Sequence, residues 1–542
     1  MEVTEKEQTH DIKDNNSLQN EEQKFIYDRR HPLYMIFLMR LINVTSINTF
    51  FQPDEFFQSL EPAHFRHYGY GTLTWEWKLG LRSYLYPLIF DLLYYINDLL
   101  EYLNVEVKNI SFFHHIFQAF IMALSEYYLY TFIVKITKGN QNIASYGLLL
   151  STINPFNWFL GTRTFSNSFE MQLTTIALAF WPWNGVNWSD LNKSLSLAAV
   201  CFLIRPTNGM IWACLAISFF KNHDLSTNIK FLKRAIFIGS LTLILNIIID
   251  YHFYHELKIP IWEFMKFNAF TSLSKFYGSN SWSFHLVQSL PLILTTSLPF
   301  FIQGFFASNL KSVKVLIIAN ILAFSLISHK EFRFLYPLQP FFILFSSFGL
   351  NTFYIKFNKY FYPIVAVIIA FNTALSLYLT QFHEMGSIEV IEYLRTDPDV
   401  QSIGFLTPCH STPLQSYIHN PDIPIWYLTC EPPIYLLNST STNIDKELES
   451  YMDESDIFYE NPNLFLFHNL PPPFNKNLRT PGREYKYEWP THLVFFEALE
   501  PILKEYLKDS PYEECKRFWN TLEHWDSRRQ GDVIVYCKWP WE

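Results

Sequence analysis

The sequence predicts an α-helical, polytopic membrane protein that carries a water-facing mixed α/β domain at its C-terminal end. Three observations lead there. The chain of 542 residues is 49% hydrophobic and 18% aromatic, too apolar and too rich in Phe and Tyr for a soluble domain of this length. Its mean hydropathy is nevertheless only +0.04, because polarity is segregated into the first thirty residues, the loop after Phe50 and everything beyond about His383. Between these regions, apolar runs recur near the roughly 20 residues that a helix needs to cross hydrocarbon.

Residues 1–30 are polar and lack an apolar core, which excludes a cleaved signal or transit peptide and reads as a disordered tail. Lys24, Arg29 and Arg30 precede the first apolar run and place this end in the cytosol. The clearest membrane spans are Ile110–Ile136, Tyr146–Leu160, Leu195–Phe220, Ala235–Ile249, Leu286–Phe305, Val313–Ser328, Leu335–Leu350 and Tyr362–Thr380. Weaker ones are Leu33–Phe50, Tyr84–Leu100 and Phe169–Trp183, giving about nine to eleven helices in a module over residues 31–382. The runs are too long and continuous for the alternating strands of a membrane barrel. The large first loop, residues 51–83, then faces the lumen.

Residues 383–542 form a second, lumenal domain, rich in Pro, Trp, Tyr and acidic groups. Ile403–Leu406, Leu464–Phe467, Leu493–Phe496 and Val533–Val535 have the length of strands and are separated by turns such as Pro471–Pro473. Of the six cysteines, Cys201 and Cys214 lie in an expected membrane helix, while Cys409, Cys430, Cys515 and Cys537 lie in the lumenal domain. An even number there permits one or two disulfides, with Cys409 to Cys430 and Cys515 to Cys537 the shortest loops among three connectivities. None has the CxxC spacing of a zinc or thioredoxin-like site. Asn438 heads the one N-glycosylation sequon in a region read as exposed and lumenal.

Chemistry concentrates in TFFQPDEFFQSLEPAHFRHYGYGTLTWEWKLGLRSYLYP, which holds Asp54, Glu55, Gln58, Glu61, His64, Trp75, Trp77, Lys78 and Arg82. A plain connector needs none of these; a substrate cleft does. Pro53 suits the first turn of a helix, with Asp54 and Glu55 at the positive end of its dipole. Gln58, Glu61 and His64, near one-turn spacing, then share a face with Asp54. In SHKEFRF, His329, Lys330 and Arg333 are placed to hold a phosphate, Arg by its fork and Lys as a point charge. GTRTFSNSFE and IRPTNG put Arg163 and Arg205 beside or within apolar stretches, where an arginine is a candidate for function or snorkels to the interface.

Together these blocks resemble the dolichyl-phosphate-mannose-dependent mannosyltransferases of the GT-C superfamily, the family of α-1,2 and α-1,6 enzymes of glycosylphosphatidylinositol (GPI) and N-glycan assembly. The later segments TPCHSTPLQSYIH, LTCEPP, EWPTHLVFFEALEP and HWDSRRQGDVIVYCK are most similar to the branch that adds the third GPI mannose. Gln52 departs from the pattern, where relatives often carry His before Pro-Asp-Glu. The resemblance implies dolichyl phosphate mannose as donor and a mannosylated glucosaminyl phosphatidylinositol as acceptor. It also implies an inverting α-1,2 transfer in the endoplasmic reticulum membrane, with the active site facing the lumen. Asp54 is then the base, with Glu55 the alternative; His329, Lys330, Arg333 and Arg205 hold the donor phosphate. Gln58, Glu61, His64, Trp75, Trp77, Lys78, Arg82 and Arg163 contact substrate. Membrane lipid is an expected partner, nucleic acid is not, and neither a cofactor nor a metal site is expected. The rival readings are a dolichol-linked oligosaccharide mannosyltransferase and, from another class, a multi-pass transporter. A transporter should hold its ionisable groups in paired broken helices near the midplane rather than in one long loop.

Overall fold

The computed structural model describes residues 30–105, 110–267, 272–438, 444–473, 479 and 482–539. The tail expectation for residues 1–29 lies outside the described residues. Four stretches are long and apolar enough to cross a membrane: Phe112–Ile136, Leu225–Tyr254, His285–Ala307 and Phe332–Thr396. The chain is therefore a multi-pass membrane protein. Other helices of the module are shorter, such as Ser166–Phe180 with 15 residues and Trp188–Ile204 with 17. At 1.5 Å per residue these fall short of the roughly 30 Å of hydrocarbon. Ser166–Phe180 is buried along almost its whole length and is shielded from lipid by its neighbours.

Two expected spans are in fact one element. Gln339–Gln381 runs for 43 residues with a single break at Phe357 (φ −130°, ψ 41°) and Pro363 inside it. The kink lies at Phe357; Pro363, six residues on, lacks the N–H that would bond the Lys359 carbonyl and yet does not end the helix. Its first half is core and its second half is largely lipid-facing. Gly349 lets this helix touch Leu298–Ala307: a Cβ there would lie 1.9 Å from the Phe300 carbonyl oxygen, the close backbone approach that small residues allow between membrane helices.

Beyond Gln381 the chain enters a five-stranded sheet, with β1 Ile403–Phe405, β2 Ile425–Tyr427, β3 His492–Phe496, β4 Tyr512–Thr521 and β5 Gly531–Lys538. The strand order is β2-β1-β3-β5-β4, parallel across β2, β1 and β3 and antiparallel across β3, β5 and β4. Leu464–Phe467 is helical rather than a strand. Asn461 accepts a hydrogen bond from the Leu464 N–H and Pro462 opens the helix Pro462–Asn469, a start signal that overrides four residues of apolar run. Cys409–Cys430 and Cys515–Cys537 are disulfides, with Cα separations of 5.9 Å and 5.6 Å. Asn438 ends the short helix Ile434–Asn438; its side chain lies outside the described residues.

The sheet domain and the first loop share one hydrophobic core, in which Phe50, Phe56, Leu60, Phe90 and Tyr94 pack with Val390, Ile403, Leu414, Val494 and Val535. A polar clamp closes the joint. Glu384 accepts from Arg529 at 3.0 Å and meets His524 Nε2 at 3.1 Å, and its backbone carbonyl accepts from the Phe50 N–H. The loop after Phe50 and the sheet domain therefore lie on one side of the membrane.

Candidate active site

A helix begins at Asp54, directly after Pro53, and the first turn closes with the Phe57 N–H on the Pro53 carbonyl. It then passes through a π turn over Phe56–Leu60 before continuing as the α-helix Glu61–Tyr68. A π turn inserts one extra residue into the winding and rotates everything beyond it. That rotation is why the expected single polar face divides in two.

On one side of the division, Asp54 Oδ2 accepts a hydrogen bond from Arg333 Nη1. Asp54 keeps 23% of its side chain exposed, and among the described residues no group bonds its Oδ1. The rest of the Arg333 fork grips Glu331, with Nη2 2.6 Å from Oε1, and its guanidinium lies over the Phe165 ring. His329 Nε2 sits 3.1 Å from the same carboxylate. Burial works against ionising Glu331, but Arg333 and His329 overcome it and hold its carboxyl well below the usual range. Lys330 donates to the Asn280 carbonyl at 2.8 Å. Arg82 and Arg205 both lie within reach of the Asp54 and Arg333 charges. Arg82 is paired with Glu76 at 2.9 Å, and Arg205 with Glu170 at 3.3 Å and Ser166 at 3.1 Å. Gln58 is on this side as well, against Glu76. Asp54, Arg82, Arg205 and Arg333 thus come together from three parts of the chain.

The other residues expected at the substrate make their contacts within the protein. Glu55 is 1% exposed and pairs with Arg163 Nη1 at 3.0 Å. Arg163 gives its remaining donors to the Thr49 carbonyl, Thr49 Oγ1 and the Phe159 carbonyl, so its whole fork is engaged within the protein. Glu61 and His64 face the sheet domain. Glu61 Oε1 accepts from the Leu414 N–H at 2.8 Å and the Ser416 hydroxyl at 2.7 Å, and His64 Nε2 meets His419 Nδ1 at 2.9 Å. The Trp77 indole donates to the Phe57 carbonyl and packs on Phe253, while Trp75 is buried against Phe267 and Tyr277. Neither indole presents a free face for a sugar. Lys78 is exposed and lies 3.5 Å from Glu431 of the sheet domain. The residues that sequence reasoning passed over are the acidic partners Glu76, Glu170 and Glu331. Glu331 was visible inside SHKEFRF, between His329 and Arg333, the two side chains it pairs with. Clusters of Cys with His410 and with His492 fall at the two disulfides, whose bonded sulfurs are not the thiolates that zinc takes.

Residues 31–419 match the Alg9-like mannosyltransferase family. The chain belongs to that family. Among curated relatives of this mannosyltransferase, GPI mannosyltransferase 3 of Debaryomyces hansenii is 43% identical over 516 residues, covering 93% of this chain and 91% of the relative. The protein of the same name from Candida albicans is 43% identical over 509 residues, with 93% and 97% covered. That from Saccharomyces cerevisiae is 40% identical, with 95% and 96% covered. Among solved structures, ArnT from Cupriavidus metallidurans bound to undecaprenyl phosphate superposes with a TM-score of 0.55 at 10% identity, covering 93% of this chain and 96% of ArnT. This places the mannosyltransferase in the GT-C fold of membrane glycosyltransferases.

Proposed function

We propose that this chain transfers mannose from dolichyl phosphate mannose to the second mannose of a GPI precursor, forming an α-1,2 linkage at the lumenal face of the endoplasmic reticulum. The supports are the family, the relatives named GPI mannosyltransferase 3, and the geometry at Asp54. That geometry carries the mechanism: one carboxylate oxygen is fixed by an arginine and the other has no partner among the described residues. An inverting transfer needs one base and no acid, since a phosphate leaves readily when cations take up its charge.

In this reading Asp54 Oδ1 takes the proton of the acceptor hydroxyl, whose oxygen forms the bond to the mannose anomeric carbon. The bond from that carbon to the phosphate oxygen breaks, and dolichyl phosphate departs with the electron pair. Arg333 and Lys330 stabilise the departing charge, with Arg205, Arg82 and His329 in support. Glu55 is sealed against Arg163 and is the less suited of the two carboxylates. No step calls for a metal or cofactor.

The test is to supply purified protein with labelled donor and, separately, the dimannosylated GPI intermediate and a dolichol-linked oligosaccharide. Transfer to the GPI intermediate alone, abolished by Asp54→Asn, supports the reading. Transfer to the oligosaccharide alone moves the chain to N-glycan assembly, and transfer to neither with intact protein removes the enzymatic reading.

A further inference from the structure

The block TPCHSTPLQSYIH reaches the catalytic helix from the sheet domain, and the mechanism above makes no use of it. Its residues Thr407, His410, Ser411 and Thr412 line a water-sized recess together with Phe57 and Tyr427. Phe57 lies one turn beyond Asp54, and its ring packs against that of His410 with centroids 4.3 Å apart. His410 is near enough to Asp54 to feel its charge.

Three polar groups of this recess are unused. Thr407 and Thr412 are 4% and 3% exposed, yet among the described residues no group bonds either hydroxyl. Neither oxygen is among the sealed, unpartnered atoms of the described residues, so each keeps an opening through which a ligand can bond it. The third is His410 Nε2, which also has no partner among the described residues, whereas Nδ1 lies 3.6 Å from Cys430 Sγ. A disulfide sulfur has no proton to give, so this contact puts the hydrogen on Nδ1 and leaves the Nε2 lone pair facing the recess. Burial lowers the His410 pKa to about 4, which keeps that lone pair available at neutral pH. His410 also holds a left-handed backbone, φ 56°, a conformation that costs a non-glycine residue of order 1–3 kcal/mol and persists where the surroundings enforce it. The Cys409–Cys430 bond on one flank and the Glu61 clamp on Leu414 and Ser416 on the other supply that enforcement.

We infer that this recess is a subsite for a non-reacting hydroxyl or hydroxymethyl group of the acceptor sugar, with His410 Nε2 accepting its hydrogen bond and Thr407 and Thr412 completing the contact. The size of the recess admits a substituent rather than a ring. Aromatic walls with unpaired hydroxyl and imidazole groups match a carbohydrate rather than a phosphate, for which no cation lines it. The subsite rests on the mannosyltransfer reading, since its occupant is the sugar presented to Asp54, and it makes the sheet domain a determinant of acceptor choice.

The experiment uses full-length detergent-solubilised protein and steady-state kinetics with donor and acceptor varied in turn. His410→Ala is expected to raise the acceptor KM about 3- to 10-fold, the range of one lost neutral hydrogen bond, with the donor KM unchanged. His410→Gln should recover part of the loss, and Thr412→Val should show a smaller rise. A series of mono-deoxy acceptors then locates the hydroxyl: one deoxy compound should be penalised by wild type and not further by His410→Ala. Unchanged acceptor KM in both His410→Ala and Thr412→Val, or a deoxy penalty undiminished for every compound, overturns the subsite. The series is run on whichever acceptor the wild-type protein uses, so a wrong choice between GPI and oligosaccharide acceptors shows in the wild-type assay and a wrong subsite shows only in the variants.

Discussion

Asp54 and Glu55 are adjacent in the chain and opposite in circumstance. Asp54 meets Arg333 with its side chain 23% exposed and one oxygen without a partner among the described residues, whereas Glu55 meets Arg163 in the interior at 1% exposure. In the proposed mechanism the same pair of chemical types, a carboxylate and an arginine, serves reactivity in one case and architecture in the other. What separates them is desolvation and the number of other bonds on the arginine. Arg163 is bound to three backbone or hydroxyl oxygens besides Glu55, which leaves it nothing to offer a ligand.

The comparison breaks if Asp54→Asn keeps its activity. The expected loss in kcat is about 10²- to 10⁴-fold, the usual worth of a general base, with unchanged melting temperature. Arg163→Ala should do the reverse. It strands a buried carboxylate and should cost about 3–5 kcal/mol of stability, read as lost folded yield and a lower melting temperature, with turnover per folded molecule much less affected than by Asp54→Asn. Removing both Cys409 and Cys430 opens a loop with a sequence separation of 21 and should cost about 3 kcal/mol by loop entropy, checked by thermal unfolding with and without reductant. Arg333→Lys keeps a charge but loses the fork. A charge-assisted bond is worth about 1.5–3 kcal/mol, so the donor KM should rise about 10- to 100-fold while the acceptor KM holds.

The smallest effect concerns pH. Burial lowers the His64 pKa to about 3 from an ordinary 6.5, with the facing His419 adding to it. Of the other groups packed around His64, Tyr68, Tyr70 and Tyr94 are neutral near pH 7, and His67, held between Asp91 and Asp98, lies farther off. The unfolded chain therefore binds more protons than the folded one between those pH values, so stability is full above about 6.5 and declines as pH falls toward 3. The melting temperature at pH 5 should lie below that at pH 7, and His64→Gln should flatten the slope.

Much of this was legible from residues alone, and the gaps have physical reasons. The segregation of polarity pointed to the membrane helices and the sheet-bearing C-terminal region, and the crowded loop and SHKEFRF indicated the two sides of the Asp54–Arg333 contact. The shortest-loop pairing of the four cysteines beyond His383 is the one the structure has. The π turn at Phe56–Leu60 was not legible, since nothing in FFQSL distinguishes hydrogen bonds that span five residues from bonds that span four until the helix is packed on both the membrane module and the sheet domain. For the same reason the division between Asp54 and Gln58 on one side and Glu61 and His64 on the other was read as a single face. At Leu464–Phe467 the signal was present, because Asn-Pro before an apolar run starts a helix, and run length was given too much weight. Arg163 was indistinguishable from Arg205 by context, as only the fold shows which arginine finds all its partners indoors.

The Glu61 carboxylate waits for amides that lie 353 and 355 residues later in the chain. During synthesis the helix bearing Asp54 emerges early, but the segment that fixes its far end does not exist until more than two thirds of the protein has been made. The helix bearing Asp54 is thus fixed at its far end only late in translation, and a ribosome stalled within the membrane module leaves a chain in which that end still lacks its partners.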